Sequence, residues 1–489
     1  MQSSSMSSTS RRRGLLRAIL EKRSASVYGM VLVFCFGMLG GLQVLPNGVL
    51  VTPIFLVVAY EFQKRLDQGV PLLQLTSLIA VLQWLVGPLL NFSSEFQYGR
   101  YQMYVSEAVY FEFALPATAV YVVVMMTAGA SVRQRNLLQL MDRSSFVTVG
   151  VVLNVIGLIA AFAGNRASGG TAFLFHLISQ LRYVGATYFL FSKSPIRLPL
   201  AAASLSPLLL TSVSVGMFHD LLLWLAIIFC YWFAQKKWDF RSKIAVLLSA
   251  AALLFSIQAV KLEYRARKAR GEEVSLVGLM VDYLSPGGKA WEDNSLSLVV
   301  TRLNQGWIIS AIMDHVPAEE PYADGETLKD GVISALMPRV LMPDKKTAGG
   351  RENFRRFTGL EIADSTSMGI SPLGEAYANF GPIGGIVLMA GFGGLFAVCF
   401  ALAMRFTVMR PSFFFWMPVI FYQAIKAETE FAVVMNQLTK GAIVAVVMYY
   451  AIEYNFPTRL RRPVLLQSLP RRRSVGLPAA AAGVPSGSG

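Results

Sequence analysis

The chain has 489 residues, of which 54% are hydrophobic and only 15% charged, with a mean hydropathy of +0.51. That balance excludes an ordinary soluble domain and predicts a polytopic membrane protein. The net charge of +15 is concentrated partly in Arg11 to Arg13 and Arg471 to Arg473, where attraction to an anionic leaflet explains it more simply than nucleic acid does.

Residues 1–26 are Ser-rich and then basic. The apolar run behind them passes through Pro46-Asn47-Gly48 into another apolar run rather than a small-residue cleavage site, so no cleaved signal peptide is expected. A crossing takes about 20 mostly apolar residues. On that measure the sequence predicts an all-α transmembrane bundle of about twelve spans. They lie near residues 27–44, 48–62, 70–91, 108–129, 145–163, 171–192, 198–215, 217–234, 243–261, 382–404, 411–427 and 434–455. Cys35, Cys230 and Cys399 sit in apolar runs without paired spacing, which argues for neither disulfides nor a thiolate metal site.

Short-loop cations set the expected orientation. With the N-terminus in the cytoplasm, Lys64, Arg65, Arg133, Arg135, Arg143, Lys193, Arg197, Lys236, Lys237, Arg241, Lys243, Arg405 and Arg410 share one side, and the opposite short loops hold almost only Arg100 and Arg166. Both termini are then cytoplasmic. The low-complexity tail, residues 456–489, is expected to be disordered.

Residues 262–371, between the ninth and tenth spans, form a large polar and basic loop on the outer face. Loops this long are usually functional or disordered. Within it, Ser295 to Val316 repeats apolar residues at near-helical spacing, which predicts an amphipathic helix carrying Arg302, Asn304 and Gln305. Such a helix could lie in the headgroup layer or pack the loop against the bundle. Further on, Arg339, Lys345, Lys346, Arg351, Arg355 and Arg356 gather around Pro338, Pro343, Gly349 and Gly350. Arginine forks suit phosphate oxygens and lysine supplies a compact charge, so this density points to a phosphate or pyrophosphate partner, the alternative being a solvated basic surface.

Ser371-Pro372 is expected to start a short helix that presents Glu375 and Asn379 on one face, with Gly381-Pro382 ending it at the tenth span. Gly391, Gly393 and Gly394 in that span suit close helix packing. Ionisable residues inside spans, namely Glu112, His176, Arg182, Lys426, Glu428 and Glu430, are costly there and mark either a cavity or internal pairs. The spacing of Lys426 and Glu430 predicts an intrahelical pair, with an outward-facing cavity as the alternative.

The loop segment Pro-Arg-Val-Leu-Met-Pro-Asp-Lys (338–345), followed by Ser-Pro-Leu-Gly-Glu-Ala-Tyr-Ala-Asn-Phe-Gly (371–381) leading into a Gly-rich span, resembles bacterial O-antigen or oligosaccharide repeat unit polymerases. The similar stretch runs from about Arg302 to Gly394, and the separation of Arg339 from Gly350 fits an arginine, ten residues, glycine pattern in loops of that family. The resemblance implies a membrane glycosyltransferase that joins polyprenyl-pyrophosphate-linked oligosaccharides on the outer face of the bacterial cytoplasmic membrane. It implies lipid-linked donor and acceptor, bilayer, flippase and chain-length regulator as partners. No nucleic acid, cofactor or metal is expected, since HxH, HExxH and DxD clusters are missing from the sequence and it holds only three histidines.

Glycan transfer from a pyrophosphate builds negative charge on the leaving group, so cations there favour the transition state. Arg339 is the first choice for that role, with Arg302, Arg351, Arg355, Lys345 and Lys346 in substrate capture and Tyr377 and Asn379 beside them. Glu375, His219 next to Asp220, and His315 next to Asp314 are the alternatives for general base. A related glycan ligase and a lipid-linked glycan or solute transporter fit the same sequence.

Overall fold

The computed structural model describes residues 20–21, 25–92, 101–129, 131–132, 141–215, 217–272, 274–285, 303–337, 350–363 and 366–458. Arg302, Arg339, Lys345, Lys346 and the tail beyond residue 458 lie outside the described residues.

Apart from a two-residue antiparallel pairing of Leu20–Glu21 with Ser131–Val132, the described fold is helical. In order come α1 (Val27–Gly41), α2 (Asn47–Arg65), α3 (Leu72–Phe92), α4 (Glu107–Ala128), α5 (Phe146–Gly164), α6 (Gly169–Ser179), α7 (Leu181–Phe191), α8 (Arg197–Val215) and α9 (His219–Phe233). They are followed by α10 (Phe240–Ala269), α11 (Leu276–Leu284), α12 (Gly306–His315), α13 (Glu326–Leu336), α14 (Arg351–Thr358), α15 (Ser371–Met409), α16 (Pro411–Phe421) and α17 (Phe431–Asn455). By length and composition, α3, α4, α5, α15 and α17 can cross a membrane, while α1, α9 and α16 are apolar but shorter. Among the described residues, five helices rather than twelve meet that measure.

The long central helices pack around α4, which has α1 and α15 as neighbours. At Gly393 of α15 a side chain would meet the Tyr121 carbonyl of α4 at 2.6 Å, so the two backbones touch there. Gly391, by contrast, has open space around it. Of the expected glycine stripe, Gly393 is the position that close packing requires.

Two local breaks position the site. In α3 the turn Leu82–Val86 is a π-turn, and its carbonyls serve other elements: Gln83 accepts the Gln305 N–H (3.1 Å) and Trp84 accepts the Tyr110 hydroxyl (2.8 Å). In α15 the chain turns at Gly381 (φ 66°, ψ −163°), a conformation that glycine adopts without a Cβ penalty. The short helix before the break starts where expected, with Ser371 Oγ accepting the Gly374 N–H at 3.2 Å.

Of the two places open to the helix of residues 303–316, the structure shows the second: Gly306 to Met313 of α12 are all buried, packed against α3 and α15. One expectation is corrected. The eleventh span stops at Phe421, and residues 422–430 are turn and extended chain. With no helix there, the Lys426–Glu430 intrahelical pair does not form.

Candidate functional site

The break between α16 and α17 turns peptide groups and polar side chains towards several elements, where a helix would have aligned them on one face. Trp84 Nε1 donates to the Ala427 carbonyl at 3.1 Å and ties this break to the π-turn of α3. Lys426 turns to α9 instead of Glu430: its Nζ lies 2.9 Å from Asp220 Oδ1, an oxygen that also accepts from the Tyr422 hydroxyl at 2.9 Å. Its charge lies over the Tyr422 ring, 4.6 Å from the centroid.

Where the long loop meets this break there is a cavity of about 480 Å3, within the usual range for small-ligand sites. Glu428, Glu430, Gln305, Gln423 and Lys426 are among the residues that line it. Tyr101 and Trp307 line it as an edge-to-face pair with ring centroids 5.2 Å apart. Glu428 is the accessible carboxylate, its side chain 36% exposed. His219 Nε2 lies 3.4 Å from its Oε1, and Gln305 Nε2 donates to its Oε2 at 3.4 Å.

Glu430 is 1% exposed and held from the loop side, accepting from the Gly350 N–H and from Asn353 Nδ2 (2.7 Å). Burial first, and then the nearby Glu375 carboxylate, push its pKa well above the ordinary carboxylate range.

Of the residues singled out in the sequence, His219 is brought to the cavity through Glu428. Arg351 is the first residue of α14, directly after cavity-lining Gly350. Arg355 is turned away to Glu361 (2.7 Å) and the Ile362 carbonyl (3.0 Å), while Arg356 bridges Glu320 (2.5 Å) and Glu326 (2.9 Å).

Glu375 is fully buried and its Oε2 accepts the Phe431 N–H at 2.7 Å, so it caps α17 from a neighbouring helix and does not line the cavity. Asn379, also fully buried, clasps α13: Oδ1 accepts the Gly325 N–H (3.0 Å) and Nδ2 donates to Thr327 Oγ1 and the Glu375 carbonyl (both 2.8 Å). Tyr377 packs edge-on against Phe113 at 5.1 Å. The His315 ring packs against Gly359, whose added Cβ would meet it at 2.9 Å, and it does not line the cavity.

Glu428 and Lys426 were visible in the sequence as costly charges in an apolar stretch. Gln423 and Tyr101 gave no such signal, because neutral polar residues are common near span ends. Among the described residues no group of three or more His, Cys, Asp or Glu side chains is placed to hold a metal. No protein-family model matches the chain, and comparison with characterised proteins and with solved structures yields no match.

Proposed function

We propose that the protein is a membrane glycosyltransferase that polymerises polyprenyl-pyrophosphate-linked oligosaccharide repeat units, with the loop–bundle cavity holding the acceptor sugar. The observation that carries this reading is the lining. A sugar has hydroxyls that donate to carboxylates and amides, and apolar ring faces that rest on aromatic rings; Glu428, Gln305, Gln423, Tyr101 and Trp307 provide both around one space.

In the proposed step an acceptor hydroxyl attacks the anomeric carbon of the donor glycan. A carbon–oxygen bond forms, the bond from the anomeric carbon to the pyrophosphate oxygen breaks, and its electron pair leaves on the pyrophosphate. The hydroxyl proton passes to Glu428, which His219 and Gln305 orient. Charge on the departing pyrophosphate is met by loop cations. Arg351 adjoins the cavity through Gly350, Arg302 precedes Gln305 by three residues, and Arg339 stands in the same loop.

The test is extension of the native lipid-linked repeat by purified protein in detergent. Glu428→Gln is expected to lower the rate by about 10²–10⁴-fold, the usual contribution of a positioned base, with little change in melting temperature. Unchanged chain lengths and rate in that variant would remove Glu428 from the chemistry. A lipid-linked repeat that is never extended by folded wild-type protein would remove polymerisation itself.

A further inference from the structure

α13 changes character along its axis. Its first half holds Glu326, Lys329 and Asp330, and its second half Val332, Ile333, Ala335 and Leu336, with Met337 just beyond. The turn before it is bonded to the residues that precede the Gly381 break: the N–H groups of Ala323 and Asp324 donate to the Ala378 and Asn379 carbonyls at 3.0 and 3.1 Å. From there α13 runs alongside α17 in the same direction. A Cβ at Gly331 would meet the Ala432 backbone at 3.1 Å, Ser334 Oγ accepts from Asn436 Nδ2 at 3.1 Å, and the Ser334 carbonyl accepts from Lys440 Nζ at 3.3 Å. Gly331, Ser334 and Ala335 are buried, small residues that let the two backbones lie close.

These contacts set how deep α13 goes. α17 is long and apolar enough to cross a membrane, and Glu453, its single acidic residue, marks where its far end leaves the apolar layer. At 1.5 Å per residue Asn436 lies about 25 Å from Glu453, within a hydrocarbon layer about 30 Å thick. Ser334, bonded to Asn436, is therefore already inside that layer, and Leu336 and Met337 lie further in. Lys440 reaches back to Ser334 and Asn436, towards the near surface, as a lysine at such depth does.

We propose that α13 is a re-entrant membrane helix, which enters the bilayer beside Gly381 and lays the apolar face of its second half against the acyl chains of one leaflet. Leu336 is 61% exposed, and Val332 and Met337 are exposed with it, while the opposite side of the helix is buried on α17. The face continues on α15, where Ile383 and Val387 are exposed next to the turn that leads into α13. Lys329, exposed in the first half, is within reach of headgroups. Backbone groups in hydrocarbon have to be satisfied internally, and α13 meets this as a helix that ends with the Met337 N–H on the Ile333 carbonyl at 2.9 Å. The contact with lipid holds whichever side of the membrane the loop occupies and whether or not the cavity binds a sugar.

The experiment is spin-label accessibility on the full chain in phosphatidylcholine nanodiscs, with Cys35, Cys230 and Cys399 replaced by Ser and one nitroxide placed at a time. Oxygen, which partitions into hydrocarbon, and a water-soluble nickel complex compete as relaxing agents. At Leu336→Cys the oxygen-to-nickel ratio is expected to exceed that at Glu319→Cys several-fold and to match that at Val398→Cys, an exposed position of α15. A ratio at Leu336→Cys equal to that at Glu319→Cys would place the end of α13 in water and overturn re-entry. Protection from both agents would overturn the lipid contact and place protein, such as a second copy of the chain, on this face. Should a label at 336 unfold the chain, Met337→Cys, also exposed, decides by the same ratio.

Discussion

Two buried carboxyl groups, Glu430 lining the cavity and Glu375 off it, separate structural from chemical roles. Glu375 supplies the acceptor for the first N–H of α17, a donor that the helix cannot satisfy internally. Glu375→Ala leaves that N–H buried and unpaired and should cost about 1–3 kcal/mol. Glu375→Gln keeps an acceptor oxygen and should retain both melting temperature and chain extension. Loss of extension in a Gln variant that melts normally would return Glu375 to the chemistry.

Glu430 gives a pH dependence. Its folded-state pKa is raised, by burial first and then by Glu375, so the native state holds a proton that the unfolded chain has already lost. The associated stability is fully present below the ordinary carboxylate pKa and is lost as pH rises through the raised value. Melting temperature in detergent should therefore fall as pH increases over about pH 5 to 8, and Glu430→Gln, which leaves the neighbouring Glu375 carboxyl in place, should make that slope shallower. The same slope in wild type and variant would assign it to another group.

At the scale of elements, sequence and structure agree where a local rule decides and part where a distant partner decides. The start of α15 at Ser371 and its break at Gly381 were legible because Ser, Pro and Gly act through their own backbone. The burial of α12 was not: its apolar spacing fits a lipid surface or a protein groove equally, and the π-turn carbonyl that receives Gln305 lies more than two hundred positions away along the chain. Lys426 and Glu430 obey the spacing rule for a helix that the chain does not form there.

The glycines of α15 make the same point testable. A Cβ at Gly393 would press on the Tyr121 carbonyl, and since α4 is fixed on its other side by α1, Gly393→Ala should cost about 1–3 kcal/mol as an overpacked contact. Gly391→Ala, two residues away with open space around it, should be neutral or stabilise by up to about 1 kcal/mol through helix propensity. Detergent melting curves of the two variants compare them directly; equal losses would mean that the α4–α15 contact does not set the spacing.

For the whole molecule, the polar contacts between helix ends sort into two groups. In one, Ser26 N–H meets Glu61 (3.1 Å), Lys243 meets Asp67 (2.7 Å) and Ser412 meets Glu453 (2.7 Å). In the other, Asn47 meets Glu107 (2.9 Å), Lys426 meets Asp220 (2.9 Å) and Gln305 meets Glu428 (3.4 Å). Every contact joins chain ends that the alternation of twelve spans expected from the sequence would leave on one face. The first group is bordered by Lys64, Arg65, Lys236 and Lys237, and the second by the long loop. Because short-loop cations stay in the cytoplasm, the cavity and the loop should face outward. With Cys35, Cys230 and Cys399 replaced by Ser, a membrane-impermeant maleimide added to intact cells should label Glu319→Cys and spare Lys237→Cys until the membrane is opened. Both residues are exposed and border opposite groups of contacts, so labelling of the pair from one side would overturn the orientation, and labelling of Lys237→Cys alone would invert it.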